Sequence, residues 1–76
     1  MFSTDGDQGM KNNIKAERSR RQMTQQELAD ELGVSRQAVH AIESGKFNPS
    51  TVLSLKISQI FGKQVNEIFF LDEEDQ

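Results

Sequence analysis

Between Thr24 and Gly45 the chain carries two apolar stripes of helical period, each opened by a capping residue and closed by a glycine. Thr24 has a hydroxyl that can accept a hydrogen bond from an unpaired backbone N–H. Glu27, three residues on, completes a capping box, so a helix is predicted from Gln25. Leu28, Ala29 and Leu32 then share one face, while Gln25, Gln26, Asp30 and Glu31 point elsewhere. Gly33 ends this helix, because glycine takes the left-handed conformation without a Cβ clash. Ser35 is a second N-cap, and Ala38, Val39 and Ile42 give the next helix its stripe before Gly45 stops it. A turn of only three residues forces the two helices to cross steeply.

Two short helices at such a corner are the layout of a helix-turn-helix. The residues add to the spacing: Thr-Gln-x-Glu-Leu-Ala from Thr24, Leu-Gly-Val-Ser-Arg-Gln from Leu32, and Ile-Glu-x-Gly-Lys from Ile42 to Lys46. In register, they closely resemble the Cro/repressor (Xre-type) helix-turn-helix family of bacterial and phage transcription regulators. The resemblance runs outward from Ile14 and Arg18 in a first helix to Asn48-Pro49-Ser50 and Lys56-Ile57 in a fourth, over roughly residues 11 to 70. It implies an all-α, compact, five-helix, lambda-repressor-like DNA-binding domain. One departure stands out at Gln22-Met23-Thr24, where the family commonly has glycine before the hydrophobic residue. Gln22 is expected to adopt the left-handed turn that glycine takes cheaply, at about 1 kcal/mol.

A chain of 76 residues allows one domain with a core small for its surface. There is no cysteine and only one histidine, so neither a disulfide nor a metal site is expected, and no cofactor is implied. The same shortage leaves no nucleophile–base set, and the chain is not read as an enzyme. Its longest apolar run, Ile68-Phe69-Phe70-Leu71, is far too short to span a membrane, and a cytoplasmic protein is expected.

A net charge of -3 argues against binding a polyanion until its distribution is considered. All nine Lys and Arg lie between Lys11 and Lys63, against five carboxylates, a local excess of four positive charges. The remaining acids sit at the ends, at Asp5 and Asp7 and from Glu67 to Asp75. With a screening length of about 8 Å, a phosphate near the basic segment responds to that segment more than to the total.

Residues 1–10 read as a disordered leader, either a genuine arm or a non-native remnant, with Met10 offering a second start. Residues 11–71 form the domain. Helix one is expected from Asn12 or Asn13 to Gln22, helix two over 25–32 and helix three over 36–44. Helix four begins at Pro49 or Ser50, with Val52, Leu53, Ile57, Ile60 and Phe61 as its apolar positions, and a short fifth helix starts near Asn66. Residues 72–76 are expected to be an acidic tail.

The first turns of helix three are what a helix-turn-helix presents to base edges in the major groove. Arg36 can donate two bonds to guanine, and Gln37 can pair twofold with adenine. His40 and Ala41 lie one turn further on, His40 as a base or phosphate contact or simply exposed. Gln25, where the helix dipole favours an anion, and Ser35 are expected at phosphates; the resemblance implies the same for Gln25 and adds Ser44, Lys46 and Asn48 after helix three. Arg20, Arg21, Lys11 and Lys15 offer long-range steering. The resemblance also implies a partly buried salt bridge between Arg18 and Glu43. Phe70 and Leu71 have no place on the fifth helix's inner face and are expected at a dimer interface.

These expectations describe a sequence-specific regulator, acting as a repressor because no separate activation or sensing region is visible, bound to double-stranded DNA as a homodimer on an inverted repeat. Three alternatives remain open: the antitoxin of a toxin pair, a restriction-modification controller protein, or a protein-interaction module that binds a small protein partner instead of DNA.

Overall fold

A computed structural model describes residues 11–71; the expectations for 1–10 and 72–76 lie outside that range. Its elements are β1 (Lys11–Asn12), α1 (Ile14–Arg20), α2 (Gln25–Leu32), α3 (Arg36–Glu43), α4 (Thr51–Phe61), α5 (Val65–Ile68) and β2 (Phe69–Phe70). Five helices therefore form the body of the fold. The two short strands pair antiparallel, Lys11 opposite Phe70 and Asn12 opposite Phe69, and clasp the two ends of the described chain.

Local chemistry sets the helix ends. The Thr24 hydroxyl accepts from Glu27 N at 3.0 Å while the Glu27 carboxylate accepts from Thr24 N at 2.8 Å, a complete capping box. Ser35 and Ser50 accept in the same way from Ala38 N and Leu53 N, both at 3.1 Å. Helix four consequently starts after Ser50, with Pro49 just outside it. Gly33 and Gly62 close α2 and α4 in the left-handed region, at φ of 77° and 66°. Gln22 takes that conformation without glycine's freedom, at φ 54°. It lets the chain reverse after α1, where the Met23 amide donates back to Arg18 O at 2.9 Å.

Helix one is shorter at both ends than its pattern predicts. Asn12 is drawn into the strand pairing, and its side chain bridges two elements: Oδ1 accepts from Ile14 N at 3.1 Å, and Nδ2 donates to Ile42 O, near the end of α3, at 2.9 Å. Asn13 N adds a bond to Ile68 O at 2.9 Å. At the other end the helix stops at Arg20, and Arg21 and Gln22 form the turn. We expect Asn12→Ala to cost about 1–2 kcal/mol, as the Ile42 carbonyl and an α1 N–H lose their partner. Urea unfolding monitored by circular dichroism would measure it, and an unchanged midpoint would show that the bridge contributes nothing.

Ile14, Leu28, Ala29, Leu32, Val39, Ile42, Ile57, Phe61, Ile68 and Phe69 form one buried cluster fed by all five helices and β2. Met23, Val34, Leu53, Ile60 and Val65 pack around it. Helix four presents Leu53, Ile57, Ile60 and Phe61 inward. Val52, expected on that face, is instead 63% exposed, because the inward stripe is centred on Ile57 and Phe61 and Val52 falls outside its arc. In β2 successive side chains alternate, so Phe69 enters the core while Phe70 faces out.

Candidate nucleic-acid interface

The candidate surface starts from the inward side of α3. Burial of Val39 and Ile42 against the core fixes the helix's rotation. The opposite side then carries Arg36, Gln37 and His40, all exposed, with Ala41 half-buried beside them. Ser35 is exposed at the N-cap, and its Oγ accepts from Ala38 N, which leaves its own proton available to an acceptor. The amides of Gly33 and Val34 donate to Ala29 O at 2.8 and 3.0 Å, a tight corner that sets α3 against α2.

Behind this surface stands the Arg18–Glu43 pair. Arg18 Nε donates to Glu43 Oε2 at 2.5 Å and Nη2 to Oε1 at 3.0 Å, while Nη1 donates to Met23 O at 2.8 Å. One guanidinium thus ties α1 to the last residue of α3 and to the turn before α2. Both side chains are largely buried, 12% and 6% exposed. Gln25 Nε2 also donates to Glu43 Oε1, at 3.1 Å, so the amide lies between the start of α2 and the end of α3 with a second N–H still to give.

The loop after α3 holds Ser44, Lys46 and Asn48, all exposed. Gly45 turns it at φ 81°, and Lys46 N returns to Ala41 O at 2.9 Å. The Ser44 hydroxyl donates to Ala41 O at 3.1 Å, so as it stands it offers lone pairs and not a proton.

Glu17 is the residue that sequence reasoning missed. It is a buried carboxylate, 2% exposed, surrounded by three cations: Arg21 Nη1 at 2.6 Å, Arg20 Nη1 at 2.7 Å and Lys63 Nζ at 2.9 Å. The Lys63 and Arg21 bonds, helped by Arg20 and opposed by burial, lower its pKa from 4.5 to about 2. Arg21 also donates through Nη2 to Phe61 O at 2.6 Å and stacks 4.9 Å from the Phe61 ring, so it caps the C-terminal end of α4. The only hint in the sequence was Glu17 standing three and four residues before two arginines.

This cluster ties the guanidinium groups of Arg20 and Arg21 to an internal carboxylate, but three cations around one carboxylate keep two net positive charges, so their long-range contribution persists while their hydrogen bonds are directed inward. Once Arg18 and Lys63 are also paired, the cations without a side-chain partner among the described residues are Lys11, Lys15, Arg36, Lys46 and Lys56.

Among the described residues no helix is long and apolar enough to cross a membrane, and no three metal-ligating side chains cluster. The pattern of the helix-turn-helix family matches residues 14–68. A curated HTH-type transcriptional regulator of the archaeon Methanocaldococcus jannaschii is 44% identical over 66 residues, covering 87% of this chain and 100% of the relative. YgzD of Bacillus subtilis, also an HTH-type transcriptional regulator, is 42% identical over the same shares of both chains. In the crystal structure of the restriction-modification controller protein C.AhdI from Aeromonas hydrophila, the same fold recurs with a TM-score of 0.65 and 27% identity, covering 72% of this chain and 80% of that one.

Proposed function

We propose, from the premise that this chain belongs to the Cro/C1-type (Xre) helix-turn-helix family of DNA-binding transcriptional regulators, that it represses transcription as a homodimer on an inverted-repeat operator. The observation that carries this reading is the outward face of α3. Among the described residues the Arg36, Gln37 and His40 side chains have no protein partner, and they stand on a helix locked at one end by a capped corner and at the other by Glu43. Rigid placement of two planar or bidentate donors is what readout of guanine and adenine edges needs. Ser35 and Gln25 at the helix starts and Lys46 and Asn48 in the following loop flank that face and are assigned to phosphates, and Ser44 joins them only by turning its hydroxyl away from Ala41 O.

A single recognition helix reads only a few base pairs, too few for useful selectivity in a genome. Two copies related by a two-fold axis would read half-sites about 34 Å apart. Phe70 and Leu71, 39% and 51% exposed at the end of the described chain, are the apolar surface we assign to that contact. A repressor then needs only to occupy its operator tightly enough to exclude polymerase. On this reading residues 11–71 are the binding domain and residues 72–76 an acidic tail.

Selection of bound duplexes from a random pool, with the mass of the protein measured in solution, tests the proposal. A palindromic site and a dimer mass support it; no enriched sequence would sink it. With the site in hand, Arg36→Ala or Gln37→Ala should cost about 1–3 kcal/mol and relax one operator position. Lys46→Ala should weaken all sequences alike and make the salt dependence shallower. Both recognition-helix variants binding as wild type would remove the assignment.

A second reading, a restriction-modification controller, is favoured by the likeness to C.AhdI. The two diverge in their operators: a controller's site would lie upstream of a neighbouring restriction gene.

A further inference from the structure

Beside the recognition helix lies a cleft of about 220 Å³, lined by Lys15 from α1, Gln25 from the start of α2, and His40 and Ser44 from α3, with the Arg18–Glu43 pair buried beneath. Its charge is decided by which groups are already satisfied. Arg18 and Glu43 neutralise each other through two hydrogen bonds, so the Glu43 carboxylate does not repel an incoming anion as a bare charge would. Lys15 is exposed and has no hydrogen-bond or ion-pair partner among the described residues. Gln25 uses one N–H on Glu43 and keeps the other, while the exposed His40 ring can donate as well. Ser44 contributes shape at the rim, since its proton is taken by Ala41 O. The cleft is thus an uncommitted cation with two neutral donors over a self-neutralised floor.

Its position says what anion fits. His40 follows Arg36 by one helical turn and Ser44 follows His40 by another, so the cleft runs along one flank of α3. A helix seated in the major groove, about 12 Å wide, has a sugar–phosphate strand on each side. The loop of Lys46 and Asn48 serves a strand at the C-terminal end of the helix; on the flank of this cleft only Gln25 has been assigned to a phosphate, and no residue of α1 has.

We propose that this cleft seats a backbone phosphate of duplex DNA, with Lys15 supplying the charge and Gln25 and His40 the hydrogen bonds. The inference rests on the DNA-binding reading above, and it adds α1 to the interface and gives His40 a phosphate in place of a base. Lys15 differs from Arg20 and Arg21, whose guanidinium groups are held on the Glu17 carboxylate.

The test measures affinity for the selected duplex from about 50 to 300 mM KCl, in wild type and in Lys15→Ala, Lys15→Arg, His40→Ala and Lys56→Ala. Lys56 is an exposed lysine on α4 with no ion-pair partner among the described residues and controls for the loss of one positive charge anywhere. Lys15→Ala should bind about three- to fivefold more weakly at low salt, with the slope of log K against log salt shallower by about 0.9. Lys15→Arg should restore both, His40→Ala should weaken binding without changing the slope, and Lys56→Ala should fall short of Lys15→Ala. The proposal is overturned if wild type binds while Lys15→Ala keeps its affinity and slope, or if Lys56→Ala loses as much. Inorganic phosphate, titrated against the amide resonances of residues 15 and 40, separates the sources. Tight binding of the free ion, with duplex affinity indifferent to Lys15, would assign the cleft to a small anion instead. A wild type that binds no duplex at any salt would overturn the DNA-binding reading itself, and this seat with it.

Discussion

Arg18→Ala is expected to destabilise the domain by about 3–5 kcal/mol. For a domain of this size that corresponds to a fall in Tm of at least about 12 °C. The magnitude follows from what the substitution leaves behind, more than from the energy of the pair. Glu43, only 6% exposed, would keep its carboxylate in the interior with a single donor, Gln25 Nε2, and Met23 O would lose its guanidinium. Arg18→Lys should recover little, because an ammonium group cannot reach both carboxylate oxygens and the Met23 carbonyl in one plane. Removing both charges should behave differently. Arg18→Met with Glu43→Leu deletes the buried charge together with its partner, and we expect it to lie within about 1 kcal/mol of wild type or above it. Thermal unfolding of the singles and the double gives the coupling directly. A Tm for Arg18→Ala within about 3 °C of wild type would show that the pair carries no structural weight.

Glu17 is expected to make the domain acid-sensitive. Its folded pKa, about 2, lies below the ordinary 4.5. A depressed carboxylate contributes stability that is complete above its unfolded value and lost as pH falls through its folded value. The window therefore runs from about pH 5 down to about pH 2. The full shift is worth roughly 2–3 kcal/mol after allowance for water at Arg20 and Lys63, which are 62% and 37% exposed. Urea titrations of wild type and Glu17→Gln at several pH values isolate this contribution. Their stability difference should be largest at pH 6 and should shrink by that amount by pH 2. A difference constant across the range would mean that Glu17 titrates alike folded and unfolded. The physical stake is the join between α1 and the end of α4, where Lys63 and the Arg21 cap on Phe61 O both depend on the same carboxylate.

Much of the fold was legible because it is written in short-range chemistry. Thr24 with Glu27, Ser35 with Ala38 and the left-handed Gly33 are decided by residues one to four positions apart, so α2 and α3 appear where the sequence puts them. The outward face of α3 was legible for the same reason: once Val39 and Ile42 are inside, the helical period leaves Arg36, Gln37 and His40 outside. Val52 shows the limit of that logic, since period alone allowed a wider apolar arc on α4 than the core occupies.

What the chain alone determined, then, is two capped helices at a tight corner, the exposed polar face of the second of them, and a basic middle between acidic ends. The tertiary structure decided how those charges are spent. Lys63 meets Glu17 across 46 positions, Arg21 meets Phe61 O across 40 and Asn12 meets Ile42 O across 30. Helix periodicity and capping act within a turn or two and can be summed along the sequence. A buried ion pair or a bridging amide exists only where packing brings distant atoms within about 3 Å and excludes water. That is why Arg20 and Arg21, alike to Lys15 in the sequence, are tied to an internal carboxylate, while Lys15 has no side-chain partner among the described residues.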